Sequence, residues 1–501
     1  MNRIGSWIAM MLCIATIMVS FAACGNKKSP TPGTTSATDP SSDPVETAPL
    51  VETDENGYVK DSLPASVNLD REFRIYAWQE QKQWEWCDEA EYPTALLDQA
   101  LYRREEKVQD RFGVTLVREY HPGSWDFRNQ FVSDLAKSVQ LNDHAYDMVV
   151  QYLPAAGLAA TQNLYLDLTT IPNLDFEKPW WPSRLLDTAT VGSKLYFATG
   201  DISATFFINI HCIFANTQLY DRLNLSQYVE GRSIYEVVRD YDWTLETMLL
   251  LALDHVDTNE GNFGFTADNI VQADAFFYGG NFIMVKTGDN NLPALSADLT
   301  SQQLSDWYDK VQKIFTDEYE DVSCKAGANV FKQKKSIFHA STLSTSRAFA
   351  EEGLSFTALP IPMRDSDQEQ YSTTTNFYVS MFSIPADARK ADESGMIMEA
   401  LASEGYRNVT DVVYYNLFKT RYSSSNGADS AGMFDLVSNS VVFDGARMFA
   451  DKLAMFATFR NAVAGVGEDP NVITKLSWPT VYAANEDIWK SGLISLISSI
   501  G

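Results

Sequence analysis

Cysteine and histidine are scarce in this chain, and several familiar catalytic and metal-binding patterns are missing. The 501 residues include five cysteines and five histidines. No C-x-x-C, H-x-H or H-E-x-x-H pattern occurs, which argues against a zinc ribbon, a dithiol redox pair and a zinc-protease site. No G-x-S-x-G motif occurs either, so a serine hydrolase is not indicated. We therefore predict no metal, no cofactor and no catalytic residues.

Positive charge is also in short supply. The chain has 66 Asp and Glu residues against 39 Lys and Arg residues, and its formal net charge is −27. Without a basic patch to displace counterions we expect no nucleic-acid partner. The same acidity disfavours attraction to anionic lipid. An acidic surface that keeps a secreted protein soluble is enough to explain the charge.

Only one long apolar run is present, and it lies at the N terminus. Arg3 gives a positive start, residues 4–19 are mostly apolar, and Ser20-Phe21-Ala22-Ala23-Cys24 closes the run with small residues. A short run with no basic stop after it predicts a secretory signal peptide over residues 1–23 and not a membrane-spanning helix. The ending resembles a bacterial lipobox, which implies an acyl anchor (diacylglycerol and palmitate) on Cys24. An ordinary signal peptide cut after Ala23 is the alternative.

The segment after this cysteine has the composition of a linker. Residues 24–62 are rich in Ser, Thr, Pro, Asp and Glu and contain few large apolar side chains. Such a segment cannot bury enough apolar surface to offset the entropy of ordering it. We predict a disordered tether that holds the folded body roughly 35 Å from the lipid.

Strands and helices alternate from about residue 66 onward. The pattern predicts strands over 73–78, 113–120 and 146–152, with helices over 94–112 and 127–141 between them. Gly113 fits the position just after the first helix. This alternation predicts parallel strands with right-handed crossovers, and therefore an α/β fold. Cys87, Cys212 and Cys324 lie far apart in this region; we expect at least one buried free thiol, and whether any two pair stays open.

Several longer segments carry a resemblance to a known family. They are YDMVVQYLPAAGLAATQNLYLDLT (146–169), VGSKLYFATGD (191–201), NVFKQKKSIFHA (329–340), ALPIPM (358–363) and VSMFSIPADARKADES (379–394). In their order and spacing the chain is similar to the extracellular solute-binding proteins of bacterial ABC importers, family 1, which includes maltose-binding and other sugar-binding proteins. Ser341-Thr342-Leu343 departs from the Gly-x-Trp often found at that place, and so removes a tryptophan that stacks on the ligand in some sugar binders.

The resemblance implies a two-lobed, type II periplasmic-binding-protein-like fold whose lobes are joined by crossing hinge segments. It assigns 66–200 plus 380–432 to lobe 1 and 201–379 plus 433–501 to lobe 2. It also implies a monomeric, non-enzymatic protein on the extracytoplasmic face of the cell membrane, held there by its lipid anchor. Such a protein captures a small solute, here an oligosaccharide, by hinge closure and delivers it to an ABC permease.

The carboxyl ends of the predicted strands nominate the ligand-binding residues, because open α/β sheets bind ligands there. Sugars need aromatic platforms together with carboxylate, amide or hydroxyl groups. The strand-end candidates are Trp78, Gln79, Gln151, Tyr152, Ser341 and Thr342, and the crossing segments that the resemblance implies add Asp201, Phe206 and Asn376. For the aromatic residues the alternative is core packing, and for Asp201 it is a brace at the hinge. Trp180 and Trp181 are expected to pin a loop.

The rival function is a secreted, lipid-anchored carbohydrate-active hydrolase or lyase. Such an enzyme needs two carboxylates about 5–9.5 Å apart across a cleft, and with 66 acidic residues the sequence does not exclude such a pair. Within the transport interpretation, a peptide or a polyol is an alternative ligand.

Overall fold

The computed structural model describes residues 52–89, 92–253, 256–257, 259–315, 323–324, 327–414, 427–465 and 475–500. The predicted signal peptide, Cys24 and the tether as far as residue 51 lie outside these ranges. Residues 52–500 belong to one compact unit. None of the helices in the described ranges is long and apolar enough to cross a bilayer.

Two mixed sheets form the framework of this unit. The strands are β1 (Arg71–Trp78), β2 (Val114–His121), β3 (Met148–Tyr152), β4 (His211–Asn216), β5 (Phe263–Ala267), β6 (Val285–Thr287), β7 (Pro293–Leu295), β8 (Ser323–Cys324), β9 (Ser336–Thr342), β10 (Phe356–Leu359) and β11 (Ser380–Ser383). One sheet has the order β11-β3-β1-β2, the other β10-β4-β9-β5-β8, and β6 pairs with β7 in a separate hairpin.

Helices cover the sheets and make up most of the C-terminal part. They are α1 (Lys82–Glu85), α2 (Leu96–Phe112), α3 (Arg128–Leu141), α4 (Leu153–Ala160), α5 (Ser183–Ala189), α6 (Ala204–Ile208), α7 (Thr217–Arg222), α8 (Ile234–Arg239), α9 (Leu245–Leu253), α10 (Gln272–Gly279), α11 (Gln302–Phe315), α12 (Gly327–Lys332), α13 (Ser346–Glu351), α14 (Ala391–Glu404), α15 (Gly427–Asn439), α16 (Gly445–Met448), α17 (Ala450–Leu453), α18 (Thr458–Ala464) and α19 (Trp478–Ile500).

The first sheet follows from the local sequence. β1 pairs in parallel with both β2 and β3, and β11 returns antiparallel to β3. Ile75–Trp78 and all of β3 are buried, as expected for strands with helices on both faces. Helix α2 ends at Gly113, whose φ of 61° is left-handed, so the expected helix stop is confirmed. The predicted α/β class is likewise confirmed.

Two stretches of chain connect the sheets and run side by side. The chain leaves the first sheet after Ala198, which bridges Phe382, and enters the second at β4; it returns between β10 and β11. Ile210 and Thr375 form an antiparallel bridge where the two stretches meet. The β-branched and aromatic residues over 205–214 predict a strand there, but residues 204–208 are helical. Tertiary contacts explain the difference, because Thr205 donates a hydrogen bond to the buried Glu85 carboxylate.

The folded chain begins earlier than the predicted end of the tether at residue 62. Thr53 and Val59 form a β-bridge, and the Asp61 carboxylate accepts two hydrogen bonds from the Arg111 guanidinium at 2.8 and 2.9 Å. The ion pair between Asp61 and Arg111 holds this polar segment against α2. Composition alone does not predict that contact.

Candidate ligand-binding site

A cavity of about 400 Å³ lies where the connecting stretches meet strand ends from both sheets. β3 of the first sheet and β5 and β9 of the second all end at it, as the strand-end rule predicts. Its lining residues are Trp125, Tyr152, His211, Asp268, Asn269, Val271, Gln272, Ser341, Thr342, Thr345, Asn376, Phe377, Tyr378, Phe456 and Arg460. Pockets that bind small molecules have volumes of roughly 300–1,000 Å³, so this one suits a small ligand.

Aromatic rings form one wall of the cavity. The centroids of Trp125 and Phe456 are 5.2 Å apart, and those of Phe377 and Phe456 are 5.0 Å apart. Tyr152 meets Tyr378 edge-on at 5.5 Å. The Arg128 guanidinium lies 3.8 Å above the Trp125 ring, on a side chain fixed by an ion pair with Asp451. These contacts hold the half-buried Trp125 ring in place and so provide a rigid apolar platform.

Polar groups around Asp268 form another wall. Asp268 directly follows β5, and its Oδ2 accepts a 2.5 Å hydrogen bond from Ser341 Oγ. The Nε2 atom of buried His339 lies 3.3 Å from Oδ1. Burial by itself raises the pKa of Asp268, but the nearby His339 ring and the hydrogen bond from Ser341 outweigh it and lower the pKa below its usual value. The side chain is therefore an ionised acceptor that still reaches the cavity.

His211 and Gln272 lie side by side in the cavity lining. His211 is only 1% exposed, and its Nδ1 is 2.9 Å from Gln272 Oε1. Since a carbonyl oxygen can only accept, Nδ1 carries the proton and Nε2 has a free lone pair. Burial, and then the nearby Arg447, lower the pKa of His211 to about 3, so the imidazole is neutral at physiological pH.

Two arginines meet one buried carboxylate beside the cavity. Arg460 and Arg447 each place Nη1 close to Oδ2 of Asp274, at 2.5 and 3.3 Å. Arg447 also donates to the Thr375 carbonyl at 2.8 Å and lies 4.1 Å over the ring of Phe377. The cluster neutralises a buried charge and fixes the returning stretch that carries Phe377.

Four of the nine predicted ligand-binding residues line this cavity. They come from both sheets and the returning stretch: Tyr152, Ser341, Thr342 and Asn376. Ser341 and Thr342 end β9 as expected, while Asn376 follows the Ile210–Thr375 bridge. They remain proposed ligand contacts, now with a common location.

Three further candidates lie away from the cavity. Trp78 is 1% exposed; its Nε1 donates to Ser380 Oγ at 2.9 Å, and its ring backs Tyr152 at 5.4 Å. Gln151 is completely buried, donates to Ser383 Oγ at 3.1 Å and accepts from the Tyr165 hydroxyl. Gln79 is exposed on the loop after β1. The position of Trp78 corresponds to the alternative of core packing.

Asp201 and Phe206 lie in the first connecting stretch, also outside the cavity lining. Asp201 accepts a hydrogen bond from the Thr410 hydroxyl, and burial raises its pKa to about 7. This geometry is that of a brace between the stretch and the helical segment after α14. Phe206 stacks on Phe443 with centroids 6.0 Å apart.

The sequence analysis did not identify some of the residues that line the cavity. Asp268 follows the FGFTA strand, so the same strand-end rule would have found it if that strand had been included. His211 begins β4 and enters the cavity because β4 runs antiparallel to β9, with His211 opposite Thr342. Trp125, Phe456 and Arg460 come from loops and a C-terminal helix, where no local pattern marks them. Within the described ranges, no group of three or more His, Cys, Asp or Glu side chains is arranged to hold a metal ion.

Comparison with solved structures identifies the fold. The chain is similar to the GacH receptor of Streptomyces glaucescens, solved unliganded and with acarbose: TM-score 0.53, 12% identity, covering 84% of this chain and 99% of the receptor. It is also similar to a family 1 extracellular solute-binding protein from Bifidobacterium longum subsp. infantis: TM-score 0.51, 13% identity, 84% and 99% coverage. An ABC transporter solute-binding protein from Thermotoga lettingae bound to alpha-D-tagatose gives a TM-score of 0.50, 10% identity, and 85% and 100% coverage.

No protein-family model and no curated protein sequence matches the chain. The likeness to these structures extends over nearly their whole length at low sequence identity, so it establishes the fold. The predicted two-lobed, periplasmic-binding-protein-like fold and the resemblance to extracellular solute-binding proteins are thereby confirmed at the level of architecture.

Proposed function

We propose that this protein is the lipid-anchored, substrate-binding component of an ABC importer. It captures a small saccharide in the cavity between its two sheets and delivers it, chemically unchanged, to a membrane permease. The single observation that carries the proposal is the cavity itself, which combines an aromatic wall with a wall of carboxylate, amide and hydroxyl groups. Sugars present apolar C–H faces and rings of hydroxyls, and this combination complements both.

The distribution of carboxylates favours capture over hydrolysis. Among the described residues that line the cavity, Asp268 is the only one with a carboxylate. A glycosidase of the usual kind needs a second carboxylate about 5–9.5 Å away across the bond to be broken. Ser341 Oγ donates to one Asp268 oxygen and the His339 ring lies 3.3 Å from the other, which suits a fixed acceptor of hydrogen bonds.

Ligand capture would work by a shift in population. Tyr152 belongs to the first sheet, whereas Ser341 and Thr342 belong to the second. A ligand in contact with all three therefore links the two halves of the molecule, each built around one sheet. Contacts made with both halves favour the closed arrangement by their differential free energy. The adjacent connecting stretches, bridged at Ile210 and Thr375, are the proposed hinge.

The likeness in fold supports the role in transport. One of the similar structures is an ABC transporter solute-binding protein in complex with a sugar, and another is a receptor in complex with acarbose. A cavity of about 400 Å³ is at the small end of the range for ligand pockets and favours a short saccharide over a long chain.

Isothermal titration calorimetry of the mature chain with mono- and oligosaccharides, polyols and peptides tests the proposal. We expect one saccharide to bind, and the Trp125→Ala variant to bind it at least about tenfold more weakly, or ~1.4 kcal/mol, because the platform is lost. The matched control is Trp84→Ala. Trp84 is a half-buried tryptophan of the first half that does not line the cavity, and its loss should leave affinity unchanged.

Two results would refute the proposal. One is that no saccharide binds. The other is that saccharide recovered after incubation has been cleaved, as chromatography of the reaction mixture would reveal, since the proposed function leaves the ligand intact.

A further inference from the structure

We propose that His211 is a specificity-determining residue that accepts a hydrogen bond from a ligand hydroxyl through its Nε2 atom. The inference rests on the proposed function, since it assigns one contact within the same cavity. It predicts that the ligand must present a donor at that point, and that analogues without it are rejected.

The first argument is the orphaned Nε2 atom. It is buried and has no hydrogen-bond partner among the described residues, although the other ring nitrogen is bonded to Gln272. Buried polar groups in folded proteins nearly always have a partner, so an exception in the lining of a cavity points to a partner that binds from the cavity. His211 both lines the cavity and is 1% exposed, which leaves a ligand group in the cavity as the natural partner.

The second argument is that the imidazole is held in one state. Nδ1 donates to Gln272 Oε1, so Nε2 is an acceptor only. Gln272 opens helix α10 and is itself 5% exposed, which fixes its amide. The His211 main chain is fixed as well, because its carbonyl accepts from the Thr373 hydroxyl at 2.9 Å and its N–H donates to the Thr374 carbonyl at 2.9 Å. The acceptor is thus preorganised.

The third argument concerns what surrounds the ring. Asp268 on the neighbouring wall is another acceptor, and Thr342 lies directly across the ladder from His211. Arg447 and Arg460 are the nearby cations, and both face the Asp274 carboxylate. His211 Nε2 is a neutral acceptor and the Asp268 carboxylate is an ionised one. Together they suit a ligand with at least two hydroxyl donors, as on adjacent carbons of a sugar ring. A site that hydrogen-bonds a substrate hydroxyl strongly rejects an analogue lacking it.

The variant His211→Asn isolates this contact. The asparagine amide can keep the bond from the Nδ1 position to Gln272, but it has no atom at the Nε2 position. We expect its dissociation constant for the saccharide that the wild type binds to rise about tenfold, measured by calorimetry on the mature chain. We also expect the variant to lose the wild type's preference for that saccharide over one of its monodeoxy analogues.

His121→Asn is the matched control. His121 also has a buried Nε2 without a partner in the described part of the chain, but it stacks on Tyr76 and does not line the cavity. Its variant should bind the saccharide with wild-type affinity. Equal affinity of wild type and His211→Asn would overturn the inference while leaving the proposed function intact. A wild type that binds no saccharide would overturn both.

A measurement on the wild-type protein tests the His211 contact even if the variant misfolds. In ¹⁵N NMR spectra of the wild type, His211 Nε2 should resonate as an unprotonated imidazole nitrogen and move upfield on saturation with saccharide, as expected when it accepts a hydrogen bond. An unchanged Nε2 resonance at saturation, or a protonated Nε2 in the free protein, would contradict the assignment.

Discussion

Glu399 shows how a single buried residue organises its surroundings. It is 1% exposed, and its two carboxylate oxygens accept from the indole N–H groups of Trp180 and Trp181 at 3.0 and 2.9 Å. The expectation that the two tryptophans pin a loop is therefore confirmed. Burial raises the pKa of Glu399 to about 7, although the indole bonds act in the opposite direction.

The raised pKa predicts a specific dependence of stability on pH. Because the pKa is higher in the folded state than in the unfolded state, Glu399 contributes most below pH ~4.5, and its contribution is lost as the pH rises through ~7. We expect the stability of wild type relative to Glu399→Gln to fall by about 3 kcal/mol between pH 4.5 and 8.5. Urea denaturation at several pH values measures this difference, and a difference independent of pH would contradict the prediction.

Residue-scale features differ in how far the sequence reveals them. Tyr152, Ser341 and Thr342 were predictable because each ends a strand that its own composition identifies. Gln151 illustrates the limit: it is the neighbour of Tyr152, but side chains alternate along a strand, and it points to Ser383 and Tyr165 in the core. Which face of a strand end meets the cavity depends on the neighbouring strands.

At the scale of elements, the polar N-terminal segment is fixed to helix α2 by one carboxylate. The Asp61 carboxylate accepts two hydrogen bonds from the Arg111 guanidinium and one, at 2.9 Å, from Ser403 Oγ of α14. Burial alone raises the pKa of Asp61. The hydrogen bonds and charge of Arg111, together with the bond from Ser403, outweigh this effect and lower the pKa to about 2. The segment therefore joins two helices that are distant in sequence.

We expect Asp61→Asn to destabilise the fold at pH 7 by about 2 kcal/mol, as the lowered pKa implies. Because the folded-state pKa is lower than the unfolded one, the wild-type advantage is complete above pH ~4 and is lost as the pH falls toward 2. Urea midpoints at pH 7 and pH 2.5 check both statements. The exposed Asp221→Asn on α7 is the control and should change neither midpoint.

Elements with strong local signals matched their predictions, and those made by tertiary contacts did not. Helix α2 ends at Gly113 because a left-handed residue is needed there, a purely local requirement. Residues 204–208 became helical where a strand was predicted, since Ser203 and Thr205 bond to Glu85 at 2.5 and 2.8 Å. That carboxylate comes from a helix far away in sequence.

At the scale of the whole molecule, the proposed role requires attachment outside the membrane. In that role the protein is attached to the membrane through an acyl group on Cys24. Two acyl signals on one residue are needed for stable anchoring, because a single chain binds membranes only marginally.

Cys24→Ser should therefore release the protein from the membrane fraction, since serine cannot form the thioether. Fractionation of cells with immunodetection, and mass spectrometry of the N-terminal peptide, measure this. Cys212→Ser is the control: that thiol is buried and free, and its variant should stay in the membrane fraction. A wild-type N-terminal peptide without added acyl mass would contradict the anchor.

The sequence alone determined the acidic character of the protein, the signal-like start, the α/β alternation and the strand ends that border the cavity. These depend on composition and on periodicities of a few residues, which the backbone expresses locally. Only the tertiary structure decided which strand-end side chains share one cavity, since that requires two sheets and two connecting stretches to converge. It also brought in His211, Trp125 and Arg460, because packing and antiparallel pairing between distant segments place them there.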